Sequence, residues 1–425
     1  MSRKMKDSGI EWIGEIPEDW EVNKVKKYYH MEIGFTPDTK NEEYYDDDTG
    51  YDWITISDLN GKRYIPSTTK RKISKLFLDE YKPNSIPKGS LLYSFKLSVG
   101  QVAFADREVY SNEAIASFFM DNSIDLNFLF YSSYMIVENA NENIYGAKIL
   151  NQDLIKNAYI VFPPLLEQQK IANFLDEKIR EIDSIIEKTK ESIKEYKKYR
   201  KAIVINAVTK GINPNVKMKQ TDSDWIGEIP EHWNYVRIQQ LFEIVDERNT
   251  DAEANLLSLY TSIGVKPRKE LEEKGNKAIT VINYKKVKKN DIIVNKLLAW
   301  MGAIGFSDYE GVTSPDYDVY RAKKDANVIR NYYNEYFRDT CFNGDCYKYG
   351  HGIMLMRWRT YPEEFLRIKV PNPPLKEQQE IANYLYYKCD KIDSLIKKKE
   401  IFIEELDTYK KSLIYEYVTG KREVE

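Results

Sequence analysis

Residues 163–175 read Pro-Pro-Leu-Leu-Glu-Gln-Gln-Lys-Ile-Ala-Asn-Phe-Leu, and residues 373–385 read Pro-Pro-Leu-Lys-Glu-Gln-Gln-Glu-Ile-Ala-Asn-Tyr-Leu. A second motif precedes each of them. It reads Trp-Ile-Gly-Glu-Ile-Pro-Glu-Asp-Trp at residues 12–20 and Trp-Ile-Gly-Glu-Ile-Pro-Glu-His-Trp at residues 225–233. The two motifs recur at offsets of 210 and 213 residues, so the spacing is almost constant over half the chain. The chain is therefore predicted to be a tandem duplication of a unit of about 210 residues.

An apolar seam follows each Pro-Pro pair, with steps of four and three residues alternating. In the first copy it runs through Leu175, Ile179, Ile182, Ile186, Thr189, Ile193, Tyr196 and Ile203. In the second copy it runs through Leu385, Cys389, Ile392, Ile396, Lys399, Ile403, Leu406 and Leu413. Arg200 and Lys410 interrupt the seam at the same position in the two copies. This spacing is the heptad pattern of a coiled coil.

The ends of the two predicted helices are marked by prolines and glycines. A Pro-Pro pair stops the preceding strand and allows a helix to begin just after it, and Gly211 and Gly420 mark the other ends. A helix from Leu165 to about Val208 is about 65 Å long at 1.5 Å per residue. So narrow a seam needs a partner. Pairing of the two helices within one chain is favoured because they are already tethered; pairing between two chains is the alternative.

The stretch before each helix is longer, mixed and poorly matched between the copies. Residues 51–56 alternate and are rich in β-forming side chains, and residues 91–94 and 292–295 are short apolar strands. Amphipathic residues at 127–137 and 328–337 predict helices. These signals predict an α+β fold, in which two similar mixed α/β domains are separated by two long helices. The predicted organisation is a first head at residues 1–164, a central long helix at 165–215, a second head at 216–374 and a C-terminal long helix at 375–425.

Composition limits the class of protein. The chain has 425 residues, of which 42% are hydrophobic and 31% charged, as in soluble globular proteins. No apolar run approaches the roughly 18–20 residues that span a bilayer. Residues 1–6 are charged and lead into no apolar segment, so no secretory signal is expected and the cytoplasm is the predicted location. Cys341 and Cys346 have the spacing of a metal pair, but structural zinc sites usually need four ligands, so reduced thiols and no metal are expected.

Two heads on a stiff helix pair suit a duplex that carries two half-sites at a fixed spacing, and the phosphates of DNA are bound by Lys and Arg. The net charge is −3 and no segment is globally basic, so two local basic stripes are the first candidates for contact with DNA. Neither stripe contains Asp or Glu, and a solvated loop is the alternative reading of each. The first head has Lys62, Arg63, Lys70, Arg71, Lys72 and Lys75 in residues 61–75. The second head has Lys274, Lys277, Lys285, Lys286, Lys288 and Lys289 in residues 274–290, with Lys266 and Arg268 nearby.

The loops between paired strands are a second set of candidates. Lys96 and Ser98 lie in the loop at residues 94–100, and Lys296 lies in the matching loop at 295–302. Such side chains can reach base edges, although an ordinary hairpin with a solvated lysine fits equally. Lys348 and Arg357 stand beside aromatic residues and could bind phosphate or border a core. The acidic run at residues 46–48 is expected to face away from DNA.

No catalytic residue is predicted. Asn372 precedes the second Pro-Pro pair, and DNA amino-methyltransferases use Asn-Pro-Pro followed by an aromatic residue to hold a flipped base. Here Leu375 follows, and the first copy has Phe162 in place of the asparagine. Neither a glycine-rich methyl-donor loop nor a phosphate-binding loop is present.

The repeated motifs, in this order and across essentially the whole chain, resemble the specificity (S) subunit of type I restriction–modification systems. The resemblance implies that each head is a target recognition domain reading one half of a bipartite asymmetric site in double-stranded DNA. It implies that the long helices form an antiparallel coiled coil with pseudo-twofold symmetry, fix the spacing and dock two methyltransferase (modification) subunits. Restriction/translocase subunits would join, and S-adenosylmethionine, ATP and Mg would be bound only by partner subunits. A self-contained methyltransferase and a coiled-coil adaptor that does not bind DNA are the rival hypotheses.

Overall fold

The computed structural model describes residues 3–121, 124–142, 148–261, 263–270, 280–352 and 358–424. The chain divides into two compact units. Unit 1 consists of Met1–Lys188 and Phe402–Glu425, and unit 2 consists of Thr189–Ile401. Each unit therefore combines one head with part of both long helices.

Unit 1 is built from short strands and short helices that precede the first long helix. Its strands are β1 (Met5–Asp7), β2 (Glu15–Pro17), β3 (Glu21–Lys24), β4 (Met31–Ile33), β5 (Tyr51–Ile54), β6 (Lys72–Ile73), β7 (Leu91–Ser94), β8 (Val102–Phe104), β9 (Tyr110–Ser111), β10 (Ile115–Phe118), β11 (Asn141–Glu142), β12 (Lys148–Ile149) and β13 (Tyr159–Phe162). Its helices are α1 (Val25–Tyr28), α2 (Lys75–Tyr81), α3 (Leu126–Ser132), α4 (Tyr134–Val137), α5 (Gln152–Asn157) and the first part of α6 (Leu165–Lys210).

Unit 2 has the same kinds of element. Its strands are β14 (Met218–Gln220), β15 (Glu228–Pro230), β16 (Asn234–Arg237), β17 (Phe242–Val245), β18 (Leu257–Tyr260), β19 (Gly264–Pro267), β20 (Lys285–Val287), β21 (Ile292–Asn295), β22 (Ile304–Phe306), β23 (Gly311–Thr313), β24 (Tyr317–Ala322) and β25 (Lys369–Asn372). Its helices are α7 (Ile238–Leu241), α8 (Arg330–Phe337), α9 (Thr340–Tyr349), α10 (Pro362–Arg367) and the first part of α11 (Leu375–Val418).

The main sheets of the two units have the same topology. The order is β4-β10-β7-β8 in unit 1 and β17-β24-β21-β22 in unit 2, and all of these pairs are antiparallel. All four side chains of β7 and of β21 are buried, which explains why each strand begins with three consecutive apolar or aromatic residues. The duplication thus extends through the heads, although their sequences match poorly.

A strand at the start of each head pairs with the strand that ends it. β3 pairs antiparallel with β13, and β16 pairs antiparallel with β25. Because each Pro-Pro pair directly follows β13 or β25, this pairing delivers the start of the long helix to the opening motif of the same head. The heads differ elsewhere: β5 pairs in parallel with β9 in unit 1, whereas β20 pairs antiparallel with β23 in unit 2.

The two long helices run antiparallel to each other within both units. In unit 1 the ring of Phe174 lies 4.5 Å from that of Tyr417, and Asp183 pairs with Lys410. Residue numbers therefore rise along α6 where they fall along α11. In unit 2, Lys197 pairs with Glu400 and Arg200 with Asp393, so the direction is the same. The predicted seam is buried at Leu175, Ile182, Ile186, Thr189, Ile193 and Ile203 of α6 and at Leu385, Cys389, Ile392, Ile396 and Leu413 of α11. Pairing within one chain is thereby confirmed.

No helix in the described part of the chain combines the length and apolar character that crossing a membrane requires.

Candidate nucleic-acid interface

The two repeated motifs meet in unit 1. Trp20 ends the opening motif and is fully buried, and its indole Nε1 donates a hydrogen bond to Oε2 of Glu167 at 2.9 Å. Glu167 lies in the first turn of α6, where the helix dipole favours a carboxylate. The Arg3 guanidinium pairs with Glu167 and, at 2.9 Å, with Asp19. These contacts fasten the opening of the first head to the start of its own helix.

The corresponding junction in unit 2 uses different polar contacts. Trp233 is fully buried, but its indole N–H has no hydrogen-bond partner among the described residues. His232 occupies the place of Asp19, and its Nε2 lies 2.8 Å from Oε2 of Glu377, the counterpart of Glu167. This contact gives His232 a structural role at the junction.

A buried glutamine follows each of these glutamates and ties the head to the helix start. Gln168 Nε2 donates to the backbone carbonyl of the first proline of the pair at 2.8 Å, and its Oε1 accepts from the backbone N–H of Asp125 at 3.0 Å. Gln378 does the same at 2.8 Å and accepts from the N–H of Ile329 at 2.7 Å. Asp125 and Ile329 are the N-cap residues of α3 and α8. Buried backbone groups need such partners, which explains the first glutamine of the repeated Glu-Gln-Gln sequence.

The end of the other long helix completes each junction. Gly420 follows α11 with φ +69°, and a Cβ there would lie 2.4 Å from Cδ of Pro17. Gly211 follows α6 with φ +78°, and a Cβ there would lie 3.3 Å from Cζ2 of Trp233. Both positions need glycine for the backbone conformation. Each head is therefore seated on the start of one long helix and the end of the other.

The two charged interruptions of the seam are paired across the helices. Lys410 Nζ lies 2.7 Å from Oδ1 of Asp183 in unit 1. Arg200 Nε donates to both carboxylate oxygens of Asp393, at 2.9 and 3.1 Å, in unit 2. A polar residue at a seam position restricts the register of a coiled coil. The two pairs are equivalent under the duplication and support one antiparallel register.

Arg63 of the first basic stripe contacts the head's own helix. Its guanidinium lies 5.3 and 5.1 Å from the ring centroids of Phe104 and Phe130 and pairs with Asp176 of α6. Asp176 also accepts a hydrogen bond from the hydroxyl of Tyr131. Arg63 is thus positioned to hold the head against α6, and we leave it out of the proposed DNA surface.

The other end of this stripe lies beside the acidic run. Lys72 Nζ donates to the backbone carbonyl of Asp48 at 3.0 Å, so the acidic run at residues 46–48 borders β6. The Arg71 guanidinium lies 4.0 Å from the ring centroid of Tyr45. Lys62 and Lys70 are exposed and form no ion pair within the described residues.

Two predicted cations of the second head converge on one buried carboxylate. Lys285 is buried, and its Nζ lies 2.8 Å from Oδ1 of Asp318. Lys296 Nζ lies 3.7 Å from the same oxygen and is partly exposed. Lys285 is therefore inaccessible in this structure, whereas Lys296 can reach solvent.

The remaining cations of the second basic stripe are more accessible. Lys286 is exposed and has no ion pair among the described residues. Lys266 donates a hydrogen bond to the hydroxyl of Tyr309 at 3.1 Å, and that contact raises the pKa of the lysine. Arg268 is partly buried.

The two candidate cations that stand beside aromatic residues, Lys348 and Arg357, lie near the end of the second head. Lys348 Nζ donates to Oδ2 of Asp224 at 2.8 Å, and this hydrogen bond raises the pKa of the lysine. Arg357, Lys274 and Lys277 lie outside the described residues.

The loop between β7 and β8 carries the strand-loop candidates of the first head. Lys96 is exposed, and its Nζ lies 4.0 Å from Oε1 of Glu113. Ser98 is exposed, and its backbone carbonyl accepts a hydrogen bond from the hydroxyl of Ser94. Neither Lys96 nor the hydroxyl of Ser98 is enclosed by the head.

Asn372 is part of the junction and not of an open site. It is buried, and its Oδ1 accepts hydrogen bonds from Nε2 of Gln378 at 2.9 Å and from the hydroxyl of Tyr333 at 3.1 Å. An amide held in this way is unavailable to a flipped base. Among the described residues, no group of three or more His, Cys, Asp or Glu side chains could hold a metal ion.

Comparison with known proteins gives the same pattern over the whole chain. A family model described as the type I restriction modification DNA specificity domain matches residues 17–195 and again residues 230–405. A Methanocaldococcus jannaschii protein named for the specificity subunit of the type I restriction enzyme MjaX is 25% identical over 446 residues, covering 96% of this chain and 95% of that protein.

Solved structures show the same fold. A chain from a study of complex assembly and conformational transition of the type I R-M system has a TM-score of 0.70 at 14% identity, with 96% of this chain and 99% of that chain covered. The crystal structure of the HsdS subunit from Thermoanaerobacter tengcongensis has a TM-score of 0.55 at 14% identity, with 96% and 98% covered. With both heads matched by the family model, the chain belongs to the type I restriction modification DNA specificity domain family.

Proposed function

We propose that this chain is the non-catalytic DNA specificity subunit of a type I restriction–modification complex. Each head reads one half of a bipartite asymmetric site in duplex DNA, and the helix pair sets the spacing of the halves. The observation that carries this proposal is the pair of equivalent junctions. Heads of the same topology but different sequence are seated through matching motifs on one antiparallel helix pair. Such a frame suits two readers with different targets.

The complex supplies what this chain lacks. Two methyltransferase subunits dock on the helix pair, and restriction/translocase subunits join them. Adenine methylation with S-adenosylmethionine, and steps requiring ATP and Mg, take place in those subunits in the cytoplasm. The buried, doubly hydrogen-bonded amide of Asn372 supports a purely structural role for the Asn-Pro-Pro sequence.

Phosphate contacts are proposed for the accessible cations and base contacts for the strand loops. Lys62, Lys70 and Lys286 are exposed and are the strongest phosphate candidates. Lys96 and Ser98 of the first head and Lys296 of the second are the candidates for base edges. Arg71, Lys72, Lys266, Arg268, Lys348 and Arg357 remain secondary candidates.

The decisive experiment presents the chain, purified with its methyltransferase subunits, with a library of random duplexes. Selection of one two-part sequence is expected. No sequence preference would favour the adaptor hypothesis, and methyl transfer by this chain alone would favour the self-contained enzyme. Replacing residues 1–164 with a different first head should alter one half of the selected sequence only. A change in both halves contradicts the modular reading.

The phosphate contacts have their own test. The double variant Lys62→Ala/Lys70→Ala should bind all duplexes more weakly and lower the slope of log affinity against log salt by about 1–2. Lys26→Ala/Lys40→Ala, which removes two exposed lysines of the same head outside the stripe, is the matched control. An equal loss of affinity in the control would show that net charge, rather than the stripe, is responsible.

A further inference from the structure

The loop between β7 and β8 presents a leucine at its tip. Leu97 is 95% exposed, more than any other large apolar side chain that the structure describes. Its φ of +62° lies in the left-handed region, which branched apolar residues avoid. Glycine or asparagine would adopt this backbone with less strain. Packing does not offset the strain because the side chain is in solvent, so the stability of the fold does not account for a leucine here.

The tip is held in place from below. The backbone N–H of Gln101 donates to the hydroxyl oxygen of Ser94 at 3.0 Å, and the N–H of Gly100 donates to the Ser94 carbonyl at 2.8 Å. The Ser94 hydroxyl in turn donates to the carbonyl of Ser98. Gly100 has φ +87°, and a Cβ there would lie 2.8 Å from Cγ2 of Val137. Leu97 is therefore displayed on a loop that is already formed, which reduces the ordering cost of binding.

An exposed lysine beside the exposed leucine suits the binding of a polyanion that carries apolar groups. Lys96 precedes Leu97 and is exposed, and the acidic Glu113 lies at 4.0 Å from its Nζ. Gly61, at the start of the first basic stripe, and Gly100, at the foot of the loop, line one cavity of about 720 Å³. Duplex DNA presents such edges, because each thymine carries a C5-methyl group in the major groove.

The second head presents its apolar loop residues differently: Leu298 and Met301 are 39% and 53% exposed, and neither has the left-handed backbone of Leu97. Its matching loop forms a short 3₁₀ turn over Ala299–Met301 and packs on α9. The ring of Trp300 lies 6.0 Å from that of Tyr347, and a Cβ on Gly302 would lie 3.2 Å from Nδ2 of Asn343. Any role of Leu97 therefore concerns one half of the DNA site.

We propose that Leu97 is a specificity-determining residue of the first head that makes an apolar contact with a thymine methyl group in its half-site. This inference rests on the proposed function and deepens it. The contact would read a base without a hydrogen bond.

Coupling between Leu97 and single thymine methyl groups is the test. The complex with methyltransferase subunits is titrated against the selected duplex and against duplexes in which one thymine at a time is replaced by deoxyuridine. One replacement, in one half-site, should weaken wild-type binding about fourfold, as expected for loss of about one buried methyl group. Leu97→Ala should weaken binding to the unmodified duplex to a similar extent and be insensitive to that same replacement.

Two variants serve as controls. Leu97→Asn keeps a residue suited to the left-handed backbone while removing the apolar branch, so it should reproduce the alanine result without a folding defect. Leu76→Ala removes another exposed leucine of the same head and should leave affinity and deoxyuridine sensitivity unchanged.

The inference is overturned if no thymine couples to Leu97 while the wild-type complex still selects a two-part sequence, an outcome that leaves the proposed function standing. Loss of methyltransferase binding in Leu97→Ala, with no change in base preference, would instead identify the tip as a protein contact and overturn it too. If the wild-type complex shows no sequence preference, the proposed function and this inference fail together.

Discussion

In both units the opening motif of the head is joined to the start of the long helix, but the side chains that contact the glutamate of the helix differ. In unit 1, Glu167 accepts hydrogen bonds from the indole of Trp20 and the guanidinium of Arg3. In unit 2, Glu377 contacts His232, and the buried indole of the second tryptophan lacks a partner among the described residues. The glutamate at the helix start and the buried tryptophan are thus the common requirement. The donor that reaches the glutamate is interchangeable, which lets the two heads diverge while the junction is kept.

The largest difference in stability between the units is expected from substitution of the glycines that follow the long helices, Gly420 in unit 1 and Gly211 in unit 2. Gly420→Ala should destabilise unit 1 by about 3 kcal/mol, because a left-handed backbone and a clash with Pro17 are both penalised. Gly211→Ala should cost unit 2 about 1 kcal/mol, because its nearest neighbours are farther away. Amide hydrogen exchange in the first turns of α6 and α11 measures each unit separately. Equal losses in the two variants would contradict the structural difference.

The tryptophans give the next contrast. Trp20→Phe removes a donor to a carboxylate and should destabilise unit 1 by about 1.5–3 kcal/mol more than Trp233→Phe destabilises unit 2. The loss of ring volume is the same in both variants, so each serves as the control for the other. Chemical denaturation, followed by hydrogen exchange, compares them. A larger effect at Trp233 would show that its indole is in fact bonded.

The stability of unit 2 should depend on pH through a buried carboxyl group. Burial raises the pKa of Asp345 to about 6 from an ordinary 3.8, partly opposed by a hydrogen bond from Ser223. Because the folded state holds this proton more tightly, the cost of the buried charge is present above about pH 6 and disappears below about pH 3.8. Asp345→Asn should therefore stabilise unit 2 at pH 8 by about 1–3 kcal/mol and have no effect at pH 3.5. A difference between variant and wild type that does not change with pH contradicts this assignment.

The smallest effect is expected from the ion pairs across the helices. Double-mutant cycles on Asp183 with Lys410, and on Asp393 with Arg200, should give coupling energies of about 0.5 kcal/mol that fall in high salt, because all four groups are partly exposed. The arginine pair makes two contacts and should couple more strongly. Coupling that is unaffected by salt would mean that these pairs are shielded from solvent.

The frame of the molecule could be predicted from sequence because its signals are periodic and repeated. The seam and the helix that begins at Leu165 follow from spacing alone, and so do strands β7 and β21. The interruptions at Arg200 and Lys410 were visible, but their partners were not, since Asp183 and Asp393 lie off the seam and become neighbours only when the register is known.

The candidate surface was harder to predict because partners distant in sequence decide which cations are free. Arg63 meets an aspartate 113 residues away, and Lys285 meets one 33 residues away, so both turn inward although no acid stands in their own stripes. Leu97 is the opposite case, an exposed residue that the sequence does not single out. An apolar residue between Lys96 and Ser98 gives no signal of exposure or of backbone strain until the loop is built.

Unit 1 is built from two segments that are far apart in the sequence, and this affects how the protein folds during synthesis. Phe402–Glu425 belong to the same compact unit as the first head, and Gly420 lies against Pro17. A ribosome makes Phe402–Glu425 only after the whole second head, so the first head emerges early yet lacks part of its seat until α11 has been made. A premature stop codon that removed only the final turns of α11 would therefore harm the oldest part of the nascent chain, and the second head, complete by residue 401, would be spared.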